Sequence, residues 1–255
     1  MALCRVPEIE FASTLRLDGA ALDHCCGDGA FASLAWPDQT FHAGCDINAQ
    51  SVEQAKRVGR HGRLDVCDAA GRLPYPDGLF DLVFDNSALE HIPDLESALA
   101  EVARVTRPGG TFAFNILNDR IYRWWPLDGE SLDGYKQWQP IYHFLPLERW
   151  RELLGNAGFA VTSVQGYFPE KTARVFAELD CEFSGYFMRN RPSRLVKRYY
   201  NWHGVRQHWW RRWLEKLVWE ADPEEGAGFF IKSQRVGTPK PGLPPHSTSP
   251  ASLSD

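Results

Sequence analysis

Apolar residues along the chain form short runs that alternate with segments of helical spacing. Five runs predict buried strands, at Ala20–His24, Thr40–Asp46, Arg63–Cys67, Phe80–Asp85 and Thr111–Ile116. The spacing elsewhere predicts helices at Ala30–Trp36, Ser51–Gly59, Asp94–Thr106 and Pro146–Ala157. Two further strands are predicted at Phe159–Tyr167 and Ala227–Arg235. This alternation is typical of an α/β fold in which a parallel sheet carries helices on both faces.

The regular alternation ends after Ile116, and two irregular segments follow. We predict one domain over residues 1–235, with a core at 20–117 and substrate-side lid segments at 118–144 and 168–226. The first lid segment is dense in aromatic residues, which argues against disorder. Residues 236–255 are rich in Pro and Ser, and we predict a disordered tail there.

Composition narrows the class of protein. The net charge of −5 argues against a general nucleic-acid binder. The six cysteines include no C-x-x-C pair, which is typical of buried, reduced thiols. The first residues lack a secretory signal, and no apolar run approaches the ~18 residues of a transmembrane segment. We therefore expect a cytoplasmic protein.

A glycine-containing turn, Cys26-Gly27-Asp28-Gly29, joins the first predicted strand to the first predicted helix. Glycine lets the backbone approach a ligand closely at such a turn. Gly27-x-Gly29-x-x-Ala32 also satisfies the pattern of dinucleotide-binding proteins, and Asp46, which follows 19 residues after Gly27, suits a ribose-binding acid in either case. The turn alone leaves NAD and S-adenosylmethionine as alternatives.

The acidic residues around the turn favour the second alternative. Asp23 precedes the glycines at the strand's end, where it would repel an anionic pyrophosphate and attract the cationic amino group of a methionine moiety. Asp68 follows the third strand, where it could accept a hydrogen bond from an adenine amino group.

Several motifs together resemble those of class I S-adenosylmethionine-dependent methyltransferases, in particular the broad group that includes ubiquinone and menaquinone methyltransferases. The resemblance covers about residues 20–167 and rests on Leu22–Gly29, Asp46, Asp68 with Leu73-Pro74, Phe80–Val83, Leu89-Glu90-His91, Pro108-Gly109-Gly110 and Leu153–Phe159. It implies a Rossmann-like, seven-stranded sheet whose last strand is antiparallel, with a lid insertion between the last two strands. It also implies S-adenosylmethionine as the cofactor.

The resemblance assigns roles to individual residues. Asp23 and the two glycines would hold the methionine part, Asp46 the ribose, and Asp68 with the backbone of Ala69 the adenine. Cys25 stands where most members of the family have a glycine. The predicted cofactor-binding residues are Asp23, Cys25, Gly27, Gly29, Asp46, Ile47, Asp68, Ala69, Asn86 and Ser87.

Histidines are the candidate general bases, because methyl transfer to a hydroxyl requires removal of a proton. We predict His143, which precedes the helix at 146–157, as base or substrate contact, with a loop-packing role as the alternative. His91 is the second candidate, with a scaffold role as its alternative. His203 and His208 are further histidines to consider, whereas His24 fits packing better. No spaced set of His, Cys and Asp predicts a metal site.

The stretch Arg191–Glu220 combines eight basic residues with five tryptophans. A helix that packs its apolar stripe onto the domain explains this composition. Alternatively, the basic residues could bind a phosphorylated or nucleotide-linked substrate, or the helix could lie on an anionic membrane and reach a lipid-linked one. Stacking on RNA ranks last, since the chain as a whole is acidic.

These observations predict a methyltransferase that acts on a small molecule, most simply by O-methylation of a hydroxyl on a sugar, glycan or secondary metabolite. The alternatives are C- or N-methylation of a quinone-like or amine substrate, a non-catalytic adenosylmethionine-binding partner subunit, and an NAD-dependent oxidoreductase. Titration with NAD and with S-adenosylmethionine would separate the last of these from the others.

Overall fold

The computed structural model describes residues 2–126, 133–135, 139–189 and 217–239. Within them the strands, in chain order, are β1 (Ala21–His24), β2 (Phe41–Asp46), β3 (His61–Val66), β4 (Phe80–Asn86), β5 (Thr106–Leu117), β6 (Phe159–Tyr167), β7 (Glu220–Ala221) and β8 (Gly228–Arg235). The α-helices are α1 (Ala2–Ser13), α2 (Ala30–Ala35), α3 (Ala49–Val58), α4 (Leu95–Val105), α5 (Leu147–Asn156) and α6 (Glu170–Arg189). Most of the Trp-rich stretch, with His203 and His208, and the predicted tail from residue 240 on lie outside the described residues.

All eight strands form one sheet in the order β3-β2-β1-β4-β5-β8-β6-β7. The first five are parallel neighbours, and β8 runs antiparallel between β5 and β6. The predicted α/β sheet with an antiparallel last strand is thus confirmed. The predicted number of strands is wrong, because β7 adds an eighth by pairing with the end of β6. A two-residue strand is too short to leave an alternating pattern in the sequence.

Helices cover both faces of the sheet, as the alternation predicted. One buried apolar cluster joins the sheet to α4 and α5, with Leu99, Val102, Trp150 and Leu154 among its members. A second cluster, on the other face, joins it to α1, α2 and α6. Consecutive strand residues face opposite sides, and most residues of β1 and β4 are buried on both faces of the sheet.

Local sequence signals set several element boundaries. Asp94 caps α4, because its carboxylate accepts a hydrogen bond from the backbone of Ser97. Asn48 caps α3 in the same way. The fifth strand starts earlier than the predicted Thr111. β5 begins at Thr106, and Gly109, with φ of +75°, lies inside it where the pairing with β4 shifts register.

Two helices were not predicted from the sequence. α1 lies in the segment before the first strand, and Pro7 within it obscures the helical pattern. α6 occupies the first part of the predicted second lid segment, and its residues Ala173, Phe176 and Ala177 pack into the second cluster. Among the described helices, none has the length and apolar character that a membrane crossing requires.

The strand order fixes where a ligand fits. Successive strands run outward from β1 to β3 on one side, and β4 and β5 lie on the other. The order therefore reverses between β1 and β4, and the crevice outside the carboxyl ends of those two strands is the preferred ligand position in an open α/β sheet.

Candidate active site at the carboxyl ends of β1 and β4

The turn after β1 adopts an unusual backbone conformation. Cys25, Gly27 and Gly29 have φ of +56°, +55° and +76°. A Cβ built on Gly27 would have no neighbour within 4 Å, so Gly27 faces open space. A Cβ on Gly29 would lie 3.1 Å from the Cα of Ala55, so Gly29 permits close packing of α2 against α3. Cys25 adopts a left-handed backbone conformation, which glycine adopts more easily than other residues. Such local strain is common at functional sites.

The acid at the end of β2 is bonded to this turn. Asp46 Oδ2 accepts a hydrogen bond of 2.9 Å from the backbone N–H of Gly27, and its Oδ1 accepts one of 2.8 Å from that of Asn48. The carboxylate is thereby fixed beside the open side of Gly27. The next side chain, Ile47, is 70% exposed and offers an apolar surface at the same edge. Asp46 and Ile47, both predicted cofactor residues, therefore lie together with the glycine turn.

The predicted adenine-binding pair lies at the end of β3, the neighbour of β2. Asp68 is exposed, and its Oδ1 accepts a hydrogen bond of 2.9 Å from the backbone of Ala70. Ala69 is buried. The ends of β1, β2 and β3 thus present the predicted methionine, ribose and adenine residues in strand order.

Asp23 has a protein partner that the sequence did not indicate. His61 of β3 reaches across β2, and its Nε2 lies 2.7 Å from Asp23 Oδ2. The His61 ring packs over Gly44, and a Cβ built on Gly44 would lie 2.6 Å from the ring. Burial raises the pKa of Asp23, and the bond to His61 opposes that rise. The pair anchors β3 to β1 beneath the glycine turn.

A second buried pair joins β1 to β4. His24 and Asp85 are register partners, both side chains are fully buried, and Nδ1 lies 2.8 Å from Oδ2. Cys25 Sγ lies 3.7 Å from the same nitrogen. The three ligand atoms lie within 4.8 Å of one another, as in a metal site. The His24–Asp85 contact has hydrogen-bond length, and burial raises the pKa of the Cys25 thiol, which disfavours the thiolate that a metal ligand requires.

Glu8 of α1 is bonded to the residues that follow β4. Its two carboxylate oxygens accept hydrogen bonds from Asn86 Nδ2 at 3.3 Å and from Ser87 Oγ at 3.0 Å. Asn115 of β5 donates to Asn86 Oδ1 at 2.9 Å, and Arg5 pairs with Glu8 at 2.7 Å. The N-terminal helix therefore covers the β4 side of the crevice and contributes a buried carboxylate to it.

Glu90, in a short 3-10 helix after β4, is a buried acid in the same region. Its Oε2 is buried, and no residue in the described part of the chain bonds to it. Burial raises the pKa of Glu90 to about 8, and the neighbouring carboxylates of Asp85 and Glu8 act in the same direction.

The two predicted bases hold the segment around residues 139–144 against the turn that follows β4. His91 Nδ1 bonds to the carbonyl of Pro140 at 2.5 Å, and His143 Nε2 to that of Pro93 at 3.2 Å. A ring nitrogen that bonds to a carbonyl must carry its proton. In the neutral rings, Nε2 of His91 and Nδ1 of His143 are consequently the nitrogens able to accept one.

Concavity alone does not identify this site. An open cleft of about 330 Å³, lined among others by Arg151, Thr162 and Glu224, lies against β6, three strands away from β4 in the sheet. It contains none of the predicted site residues. The chemistry of the strand ends, and not the cleft, therefore defines the candidate site.

Comparison with known proteins supplies the family. The family described as "Methyltransferase domain" matches residues 22–114, which include β1 to β4, the glycine turn and most of β5. Residues 22–114 thus resemble a methyltransferase domain.

Relatives of this methyltransferase domain differ in what they act on. Malonyl-[acyl-carrier protein] O-methyltransferase of Erwinia billingiae is 32% identical over 147 residues, which are 55% of each chain. Ubiquinone/menaquinone biosynthesis C-methyltransferase of Burkholderia mallei is 39% identical over 111 residues, 38% of this chain and 43% of the relative. The matched part therefore spans about half the length of these relatives.

A solved structure extends the likeness over most of the chain. A Thermotoga maritima methyltransferase, described as a possible histamine N-methyltransferase, superposes with a TM-score of 0.59, covering 92% of this chain and 90% of that one. The sequence identity is 18%, so this likeness concerns the fold. It supports the assignment of the segments on either side of residues 22–114 to the same domain architecture.

The methyltransferase domain presents residues that fit the cofactor. Gly27 leaves open space, Asp46 is fixed beside it, and Ile47 exposes an apolar surface. Four residues that shape this site were not predicted from the sequence: His61, Asp85, Glu8 and Glu90. Gly44 within a strand was a possible signal for His61, since a strand glycine often marks close approach of another group. Glu8 left no such signal, because its helix was not predicted.

Proposed function

We propose that the protein transfers the methyl group of S-adenosylmethionine to a hydroxyl group of a small molecule. The observation that carries this proposal is the surplus of buried carboxyl groups at the carboxyl ends of β1 and β4, where Asp23, Asp85 and Glu90 lie together with Glu8 of α1. Such a surface favours a cationic ligand and disfavours the pyrophosphate of a dinucleotide.

The proposed cofactor contacts follow the order of the strands. The turn around Gly27 and Asp23 would receive the methionine part, Asp46 the ribose hydroxyls, and Asp68 with Ala69 the adenine. Asn86 and Ser87 would lie at the methionine end. When bound, S-adenosylmethionine supplies an electrophilic methyl carbon, and the chain's own task is to orient the acceptor and remove its proton.

Positioning would supply most of the acceleration. Methyl transfer is an in-line displacement, and holding two reactants in attack geometry is worth up to ~7–11 kcal/mol. His143 is the proposed base, acting through Nδ1, since its Nε2–H is bonded to Pro93. His91 is the second candidate for the same role.

The substrate class is the least constrained part of the proposal. The printed name of one relative describes O-methylation and that of another C-methylation, so both acceptor types occur around this domain. We favour a hydroxyl because a general base is useful for oxygen nucleophiles. A phosphorylated, nucleotide-linked or lipid-linked substrate would need the basic stretch 191–220, most of which lies outside the described residues.

Calorimetric titration of the full chain tests the cofactor, with S-adenosylmethionine and NAD as the two ligands. We expect binding of the first alone, and tight NAD binding without adenosylmethionine binding would contradict the proposal. A panel of hydroxyl, amine and quinone-like acceptors with labelled methyl donor tests the acceptor class. Cofactor binding without transfer to any acceptor, unless a second protein is added, would favour the partner-subunit alternative.

A further inference from the structure

Glu90 is a buried acid with one carboxylate oxygen that bonds to no described residue. Its side chain is 4% exposed, and no described residue bonds to its Oε2. A buried carboxylate without a partner costs free energy, so the group either keeps its proton or meets a cation that is not part of the chain.

The charged groups that face Glu90 include more acids than bases. Burial disfavours its ionisation most, and Asp85 of β4 and Glu8 of α1 add to this effect, whereas a hydrogen bond from its own backbone N–H and the charge of Arg5 oppose it. Arg5 pairs with Glu8 at 2.7 Å, and His24 of β1 with Asp85. With its pKa raised to about 8, Glu90 holds a proton at neutral pH in the ligand-free protein.

The topology brings this acid to the methionine end of the proposed cofactor site. β1 and β4 are adjacent strands, and His24 of β1 pairs with Asp85 of β4. The glycine turn after β1 and the 3-10 helix after β4 therefore border the same crevice. Glu8 of α1 closes the β4 side of that region, since it bonds Asn86 and Ser87. A positive charge bound beside the glycine turn would therefore act on Glu90 through a buried, weakly screened environment.

Building on the proposed function, we propose that Glu90 carries the counter-charge of the cofactor's sulfonium: it releases its proton when S-adenosylmethionine binds and is protonated again when the methyl group has been transferred. Glu90 is thereby a specificity-determining residue, which favours the charged methyl donor over the neutral thioether product.

The charges balance over the reaction. The bond between sulfur and the methyl carbon breaks, its electron pair remains on sulfur, and the methyl carbon bonds to the acceptor oxygen. The acceptor's O–H proton passes to the proposed base, His143, and from there to solvent. As sulfur becomes neutral, the Glu90 carboxylate takes up one proton from solvent, so the buried region has the same net charge before and after.

The test is calorimetry of the full chain at about pH 7 with S-adenosylmethionine and with S-adenosylhomocysteine, in buffers of different ionisation enthalpy. The dependence of the heat on the buffer gives the number of protons released. Wild type should release about one proton with S-adenosylmethionine and clearly less with the thioether. E90Q should release none for either ligand, and its affinity for S-adenosylmethionine should be about 10-fold or more weaker at alkaline pH. Glu10→Gln, an exposed acid of α1, is the matched control.

Equal proton release with both ligands, or release that persists in E90Q, would overturn the proposal. If E90Q does not fold, the comparison of the two ligands on wild type still decides. Absence of binding by either ligand would instead contradict the proposed function, so the two failures are distinguishable.

Discussion

Glu90→Gln provides a prediction about stability that is independent of catalysis. Glutamine has the shape of a protonated glutamate and cannot ionise, so the substitution removes the cost of a buried negative charge while it keeps the packing. Because Glu90 is buried and its pKa is raised to about 8 in the folded chain, the folded state resists ionisation of this group whereas the unfolded state does not. Stability is therefore lost as pH rises from about 4.5 towards 8, and the variant escapes that loss.

The magnitude follows from the two pKa values of Glu90, about 4.5 unfolded and about 8 folded. The ionisation penalty is about 1.4 kcal/mol at pH 5.5 and about 4.6 kcal/mol at pH 8.5, because each pKa unit corresponds to 1.36 kcal/mol. The advantage of Glu90→Gln over wild type should therefore grow by about 3 kcal/mol between these two pH values.

Urea unfolding of ligand-free wild type and variant, followed by circular dichroism at about pH 5.5 and 8.5, measures this difference. Glu10→Gln should show no comparable growth, since Glu10 is exposed. A difference between variant and wild type that stays constant across the two pH values would refute the argument. It would mean that Glu90 ionises in the folded chain with little penalty.

Three further outcomes are expected. His143→Ala should lower turnover by ~10²-fold or more with little change in cofactor affinity if its ring removes the acceptor's proton, and near-normal turnover of folded protein would exclude that role. Gly44→Ala should destabilise the chain by about 1–3 kcal/mol in denaturant unfolding, because its Cβ would lie 2.6 Å from the His61 ring, and an added His61→Ala should relieve part of the loss. Glu8→Gln should raise cofactor Kd more than acceptor KM, since Glu8 bonds Asn86 and Ser87, which would lie at the methionine end of the cofactor; an unchanged cofactor Kd would contradict its placement there.

The sequence predicted the parts of the fold that repeat a simple pattern. Apolar runs such as Phe80–Asp85 fall within observed strands to within a few residues, because a strand buried on both faces needs near-continuous apolar residues. Asp46, predicted as a ribose-binding acid, lies beside the glycine turn because it ends β2, the neighbour of β1. β7 and α1 were not predictable in this way. The first is too short for a pattern, and the second contains Pro7.

Hydrogen-bonded pairs between strands could not be predicted from the sequence. His24 was interpreted from sequence as a packing residue, which its complete burial fits, yet its partner Asp85 lies 61 residues away along the chain. Nothing local indicates such a pair, because the register of β1 against β4 alone brings the two together.

The same register explains why the acids accumulate at one edge of the sheet. Parallel strands end at the same edge, so polar residues that terminate β1 and β4 and the turns after them must share one crevice. Two of its carboxylates are matched within the chain, Asp23 by His61 and Asp85 by His24. Glu8 is matched by Arg5. Glu90 differs from these three in having a buried oxygen that no described residue bonds, and it follows β4 directly. An edge that pairs three of its buried acids and leaves an oxygen of the fourth unbonded is suited to a ligand with an excess positive charge, and this distinguishes a sulfonium donor from the thioether that it becomes.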